Sequence, residues 1–157
     1  MPRSSTKSLV FCVGFGLAVA GLRGQQSPQS KACFDKALTQ MEMNKCAGAD
    51  ADAAESEMNR TYQAILKKYA DQPLFMQRLR EAQRAWLVFR DAQIEMRFPI
   101  AAKESPPARY GSVYPMCHSQ YKAQLTQRRT QELEQWLAGI PEGDVCSGSV
   151  KTADGLR

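Results

Sequence analysis

The 157-residue sequence has few of the side chains that bind metal ions or perform nucleophilic catalysis. It contains a single histidine, His118, and no Cys-x-x-Cys pair. Cys117 is the direct neighbour of His118, and two adjacent side chains do not easily bind one ion. No serine or cysteine motif accompanies His118 as a nucleophile, and no Cys-x-x-Cys-His haem motif occurs. We therefore expect no metal, no cofactor and no catalytic residue; an enzyme using His118 or a carboxylate pair is the least favoured class.

The chain also lacks a large excess of either charge. Its formal charge is +5, but Arg3, Lys7 and Arg23 precede residue 25, and the 18 basic and 16 acidic residues that follow give +2. Nucleic-acid binding would require clustered Lys and Arg with stacking aromatics. The balanced charge therefore argues against a nucleic-acid partner and gives little support for binding at a membrane surface.

No segment shows the alternation of polar and apolar residues that is typical of a strand, and no internal repeat is present. Apolar residues instead recur at spacings of three and four. The predicted elements are a short helix between Cys33 and Cys46 with a break at Gly48, a second from Asp50 or Asp52 to Pro73, a third from Phe75 to Met96 stopped by Pro99, and a fourth from Pro115 to Ala138. We predict an all-α fold, a small bundle of about four antiparallel helices stapled by disulfides.

The N-terminal segment has the layout of a secretory signal. Two basic residues precede the apolar run from Leu9 to Leu22, which contains the small-x-small step Ala18-Val19-Ala20. The run is shorter than the roughly 20 residues of a membrane-spanning helix. We expect a signal peptide over 1–24, a flexible lead-in over 25–31, a helical domain over 32–138 and a tail over 139–157 tethered at Cys146. A periplasmic or secreted protein without a stable membrane anchor follows, since Cys12 is not placed as a lipid acceptor.

Four cysteines remain once the signal is removed: Cys33, Cys46, Cys117 and Cys146. In an oxidising compartment an even number of cysteines predicts disulfides, here two, with three possible connectivities.

Several polar residues interrupt the apolar faces of the predicted helices. They are Asn59 on the second helix, Gln83 and Arg90 around Trp86 on the third, and Arg129 on the fourth. A partly buried guanidinium must be paired, and Asp91 and Glu132 are the nearest candidates. We favour a structural polar network that interlocks the helices. The alternative is that these residues line a groove for a partner.

Several short segments together resemble the LprI-type lysozyme-inhibitor family of exported bacterial proteins, over about residues 33–137. The segments that carry the resemblance are Cys33 with Thr39-Gln40-Met41-Glu42-Met43-Asn44 and Cys46-Ala47, Glu57-Met58-Asn59 with Tyr62, Ala82-Gln83-Arg84-Ala85-Trp86 with Phe89-Arg90-Asp91, Gly111-Ser112, Pro115-Met116-Cys117, and Thr126 to Arg129 with Leu133.

The resemblance also implies a disulfide pairing. The family usually has a cysteine three residues after the Arg-Asp pair, which bonds a cysteine at the position of Cys117, but this sequence has Ile94 there. The expected pairs are therefore Cys33–Cys46 and Cys117–Cys146.

The function implied by the family is inhibition of lysozyme, a cell-wall hydrolase. Common animal lysozymes are strongly basic, so an inhibitor of these enzymes would be expected to present acidic residues. The acid-rich stretch contains Asp50, Asp52, Glu55 and Glu57, a possible partner-binding surface whose plainer interpretation is complementation of a helix dipole. We expect a non-enzymatic protein that binds a protein partner. The equally weighted alternative is an envelope or secreted interaction protein with another partner and no effect on lysozyme.

Overall fold

The computed structural model describes residues 27–153, which are mainly helical. The elements are α1 (Pro28–Lys36), α2 (Gln40–Lys68), α3 (Pro73–Arg97), α4 (Pro106–Tyr110), α5 (Tyr114–Ala138) and a 3₁₀ turn (Val145–Ser147). Within this part of the chain the only β pairing is an isolated bridge between Ile140 and Thr152. The predicted all-helical class is confirmed. The predicted signal peptide lies outside the described residues, among which no helix is long and apolar enough to span a membrane.

Helix α2 is longer than the sequence pattern predicted. The predicted break at Gly48 and the start near Asp50 are wrong, because the helix begins at Gln40 and continues through both positions. Its start is fixed by a capping box: the Thr39 side chain accepts from the backbone N–H of Glu42, whose carboxylate accepts from the backbone N–H of Thr39. The Leu38 N–H, the Thr39 hydroxyl and the Thr39 N–H all donate to the Glu42 carboxylate and lower its pKa below its usual range. A glycine inside a helix costs only about 1 kcal/mol, which the cap and the packing outweigh.

The other observed helix boundaries lie closer to their predicted positions. Helices α3 and α5 have proline in their first turns and end near the predicted positions, α5 at Gly139 with φ of 79°. A Cβ on Gly139 would lie 3.0 Å from the Ala153 backbone, so that glycine is required there for two reasons. The lead-in expected to be flexible over 25–31 is helical from Pro28, where Ser27 caps α1. The segment between the predicted third and fourth helices contains the short helix α4.

Helices α2 and α5 form the closest pair, and they run parallel. Three contacts show the shared direction, in order along both: Asn44 with Ser112 just before α5, Glu55 with Lys122, and Tyr69 with Trp136. Helix α3 runs antiparallel to both, since Phe75 at its start contacts Trp136 and Phe98 at its end contacts Tyr114. The prediction that all the helices are antiparallel is therefore wrong for α2 and α5, which are separated in the chain by a returning helix.

The core has two parts. Small side chains fill the first, where Ala51, Ala54 and Ala123 pack between α2 and α5 and allow their backbones to approach closely. Large side chains fill the second, around the C-terminal halves of α2 and α5: Met58, Ile65, Tyr69, Leu79 and Leu133. Aromatic residues, among them Phe75, Trp86 and Trp136, pack around that second part.

One of the two expected disulfides is present. Cys33 in α1 is bonded to Cys46 in α2, which confirms that pair. Cys117 and Cys146 are free thiols, and the expected bond between them is not formed. Cys117 lies in the first turn of α5 and Cys146 beyond the other end of that helix. A 25-residue helix is about 37 Å long, whereas bonded cysteines have Cα atoms within about 7 Å.

The tail after α5 is held by Lys151 and not by Cys146. The Lys151 backbone N–H donates to Tyr69 Oη at 2.9 Å, and its ammonium donates to the Lys68 carbonyl and to Asp71. Lys68 in turn donates to the carbonyls of Trp136 and Leu137. Two lysines thus satisfy carbonyl groups at the C-terminal ends of α2 and α5, where a positive charge is favoured by the helix dipole.

Candidate functional site

A charged cluster joins the three long helices at mid-length. We call it the Arg90 cluster, and it comprises Glu55 of α2, Gln83, Trp86, Arg90 and Asp91 of α3, and Lys122 and Arg129 of α5. The Arg90 side chain is only 8% exposed. Its Nε donates to Asp91 at 2.9 Å, and its Nη1 lies 3.5 Å from Glu55. Glu55 also accepts from Lys122 at 2.7 Å, and this bond is the main cause that lowers the pKa of the Glu55 carboxyl.

Two guanidinium groups lie close to the Trp86 ring. Arg90 is 5.5 Å and Arg129 5.8 Å from its ring centroid, both within cation–π range. Arg129 donates to Gln83 Oε1 at 3.1 Å and to Glu132 at 3.0 Å. The Gln83 amide in turn donates to the Met58 sulfur across the interface with α2. The contacts bridge three helices, which supports a structural role for this part of the predicted polar network.

The structure does not bring all the predicted network residues together. Asn59 is exposed on α2, beside Met58, which points into the core. Lys122 was not predicted, although it carries the closest contact to Glu55. A pairing between α2 and α5 could not be read from either helix alone, because it depends on their parallel register.

The four residues of the acid-rich stretch of α2, Asp50, Asp52, Glu55 and Glu57, do not form one patch. At 3.6 residues per turn, Asp50 and Glu57 lie on one side of the helix, and Asp52 and Glu55 lie on the opposite side. Two are engaged with other helices, since Asp50 accepts from Ser30 of α1 and Glu55 from Lys122. Glu57 pairs with Arg60 of the same helix. The helix begins ten residues before Asp50, so complementation of the helix dipole does not explain this stretch either.

A groove of about 680 Å³ lies between the start of α3 and the end of α5, and we call it the α3–α5 groove. Its walls include Pro73, Leu74, Phe75, Leu79 and Trp136, with Arg78 and Arg129 on the polar side. Phe75 and Trp136 are in contact, with ring centroids 4.9 Å apart. Concave surfaces with aromatic and arginine side chains are typical of the energetically important parts of protein interfaces. The groove can accept an apolar side chain of a partner.

An aromatic cluster that the sequence reasoning missed lies at the other end of α3. The Phe98 ring contacts four other rings, those of Tyr110, Tyr114, His118 and Tyr121, with centroids 5.6 to 6.5 Å apart. Burial, with a smaller effect of Lys122, lowers the pKa of His118 below 6.5. Three of the five tyrosines lie between residues 110 and 121, a local enrichment that could have revealed the cluster.

Comparisons with known proteins show the family to which this helical chain belongs. Between residues 27 and 153 no group of three or more His, Cys, Asp or Glu side chains could hold a metal ion. A relative, the uncharacterized protein R02472 of Rhizobium meliloti (strain 1021), is 38% identical over 113 residues, which cover 65% of this chain and 76% of that protein. No solved structure matches. The family model described as lysozyme inhibitor LprI matches residues 33–133, from the first bonded cysteine to the buried Leu133 of α5, and the chain belongs to this family.

Proposed function

We propose that this protein is an exported, non-enzymatic binding protein that inhibits a cell-wall hydrolase of the lysozyme class. Membership of the LprI lysozyme-inhibitor family carries the proposal, because the matched region includes α2, α3 and nearly all of α5. The partner is then a protein, and the surface that binds it must be one that the folded chain leaves accessible. Export to the periplasm or the medium is part of the same proposal, since inhibitor and hydrolase must meet.

The α3–α5 groove is the surface we assign to the hydrolase. It is concave, it is lined by aromatic side chains, and its rim residue Leu74 is 67% exposed. A convex apolar side chain of the enzyme would be desolvated against Phe75 and Trp136 while the rim excludes water. Changing Leu74 tests this contact without removing a core residue.

Electrostatic attraction to a basic lysozyme is a separate contribution. Within the acid-rich stretch of α2, Asp52 and Glu57 are exposed and make no contact to another helix. We propose that they raise the association rate with a basic hydrolase, an effect that salt would screen with a Debye length of about 8 Å at physiological ionic strength.

The experiment is a lysis assay with animal-type and phage-type lysozymes, titrated with the oxidised chain from residue 25 onward at low and moderate salt. We expect stoichiometric inhibition by the wild type. Leu74→Asp should weaken inhibition at least about tenfold, because a charge would be buried in the groove. Asp52→Asn/Glu57→Gln should weaken inhibition at low salt and have little effect at moderate salt.

Glu134→Gln is the matched control, since Glu134 is an exposed acidic residue on α5 outside both surfaces. This variant should inhibit like the wild type. Wild-type protein that inhibits neither lysozyme class would contradict the proposed function and favour an interaction protein with another partner. Inhibition that Leu74→Asp leaves unchanged would contradict only the choice of surface.

A further inference from the structure

The solvent-facing side of α3 is apolar at helical spacing. Ala85, Val88, Phe89, Ala92 and Met96 recur at intervals of one, three and four residues, which places them within a sector of about 100° on the helix surface. All five are exposed; the exposed fractions are 71% for Val88, 54% for Phe89 and 67% for Met96. We call these five residues the α3 stripe. Arg90 and Ile94, which point into the bundle, occupy the opposite side of the same helix.

Charged residues flank the stripe in a self-complementary order. Arg80 and Arg84 lie one turn apart in the first half of α3, and Asp91 and Glu95 lie one turn apart in the second half. All four are exposed, and they fall within a sector of about 60° on one flank of the stripe. In the described part of the chain, Arg80, Arg84 and Glu95 form no ion pair, whereas Asp91 pairs with Arg90.

This order has a centre of symmetry near Leu87 and Val88. When two α3 helices pack antiparallel about that point, Arg80 of one copy faces Glu95 of the other, and Arg84 faces Asp91. The two-fold axis repeats both pairs, as an isologous interface requires. A parallel two-fold pairing would instead put the two charged flanks on opposite sides of the interface, where they do not meet. We propose that a second copy of this chain docks on the α3 stripe, antiparallel, to form a symmetric dimer.

The interface involves mainly one helix from each copy, which lies at the small end of the range for specific interfaces. We therefore expect the dimer to have a dissociation constant of about 1 to 100 μM. The α3–α5 groove is lined by α3 residues from Pro73 to Ala82, so it overlaps the span from Arg80 to Glu95 only at its edge. Self-association is measured by sedimentation and inhibition by the lysis assay, so either proposal can fail without the other.

The test is sedimentation equilibrium of the chain from residue 25 onward, for wild type, Arg80→Glu and Glu95→Arg. Each charge reversal places like charges together at both ends of the interface. It should raise the dissociation constant of the dimer by roughly 30-fold or more. A one-to-one mixture of the two variants restores opposite charges at both ends. The mixture should therefore dimerise nearly as well as the wild type, a recovery that damage to the fold would not produce.

Arg128→Glu is the matched control, because Arg128 is an exposed arginine on α5 outside the interface, and it should dimerise like the wild type. Phe89→Ser should abolish dimerisation in all combinations. A wild type that is monomeric up to about 1 mM, or single reversals that dimerise normally, would overturn the proposal. So would a mixture that stays monomeric. A dimer that survives on a non-reducing denaturing gel would point to the exposed thiol of Cys146 and overturn it as well.

Discussion

Replacing Glu55 by leucine removes the carboxylate that connects Arg90 of α3 to Lys122 of α5. Loss of one partner of a fully buried ion pair typically costs about 3–5 kcal/mol, because a desolvated charge is left behind. Two features reduce that cost. About a third of the Glu55 side chain is exposed, which screens the pair, and Asp91 retains its 2.9 Å contact with Arg90. We expect Glu55→Leu to lower the free energy of unfolding by about 2 kcal/mol, or roughly 6–10 °C in Tm.

The measurement is urea unfolding at pH 7, followed by circular dichroism and tryptophan fluorescence, with Glu57→Leu as control. Glu57 is two residues away, exposed, and paired only with Arg60 of the same helix, so its replacement should change stability by less than about 0.5 kcal/mol. The double variant Glu55→Leu/Arg90→Met should be less destabilised than the sum of the single variants, because it leaves no unpaired guanidinium. If Glu55→Leu matches the control, Glu55 does not compensate the buried charge and the reasoning fails.

Other consequences concern the core, the disulfide and the response to pH. Leu133→Ala should cost about 2–5 kcal/mol, since Leu133 is 1% exposed, and urea unfolding would measure the loss; a change below 1 kcal/mol would mean that the core refills the space. Replacing Cys33 and Cys46 together by serine opens a loop of about 14 residues and should cost about 3 kcal/mol; an unchanged urea midpoint would contradict this. His118 should titrate below pH 6.5 in an NMR experiment, because burial and Lys122 disfavour its charged form. Its depressed pKa means that the unfolded chain binds protons first, so this contribution to stability is present above pH 6.5 and falls as the pH drops below it; a midpoint at or above 6.5 would refute this account.

The sequence predicted the helices whose ends carry strong local signals. Pro73, Pro99 and Gly139 stop the chain from continuing as a helix, so the boundaries of α3 and the end of α5 were close. The start of α2 was wrong because Gly48 was given more weight than the Thr-x-x-Glu capping box from Thr39, which was visible in the sequence. A helix that is capped at its start and packs against another helix along its whole length tolerates one glycine in its interior.

Only some of the contacts in the Arg90 cluster could be predicted, and the reason differs from that for the helix boundaries. Gln83, Arg90 and Arg129 interrupt apolar periodicity, and this local signal was enough to place them between helices. Which residue each would meet depends on relative helix direction, and no local pattern reports that α2 and α5 are parallel. The pairing of Glu55 with Lys122 therefore could not be predicted.

The parallel pairing of α2 with α5 also has a consequence for synthesis. Contacts between these helices join residues 67 to 76 positions apart, and α5 ends at Ala138. Until α5 leaves the ribosome, the alanine-rich side of α2 has no surface to cover it, and α3 alone cannot supply one. Loop closure over this length must come before these contacts can form, so we expect folding to depend on non-local contacts. We expect the nascent chain to stay unfolded until almost all of it has been made, a state that the proposed export through a translocation channel would require.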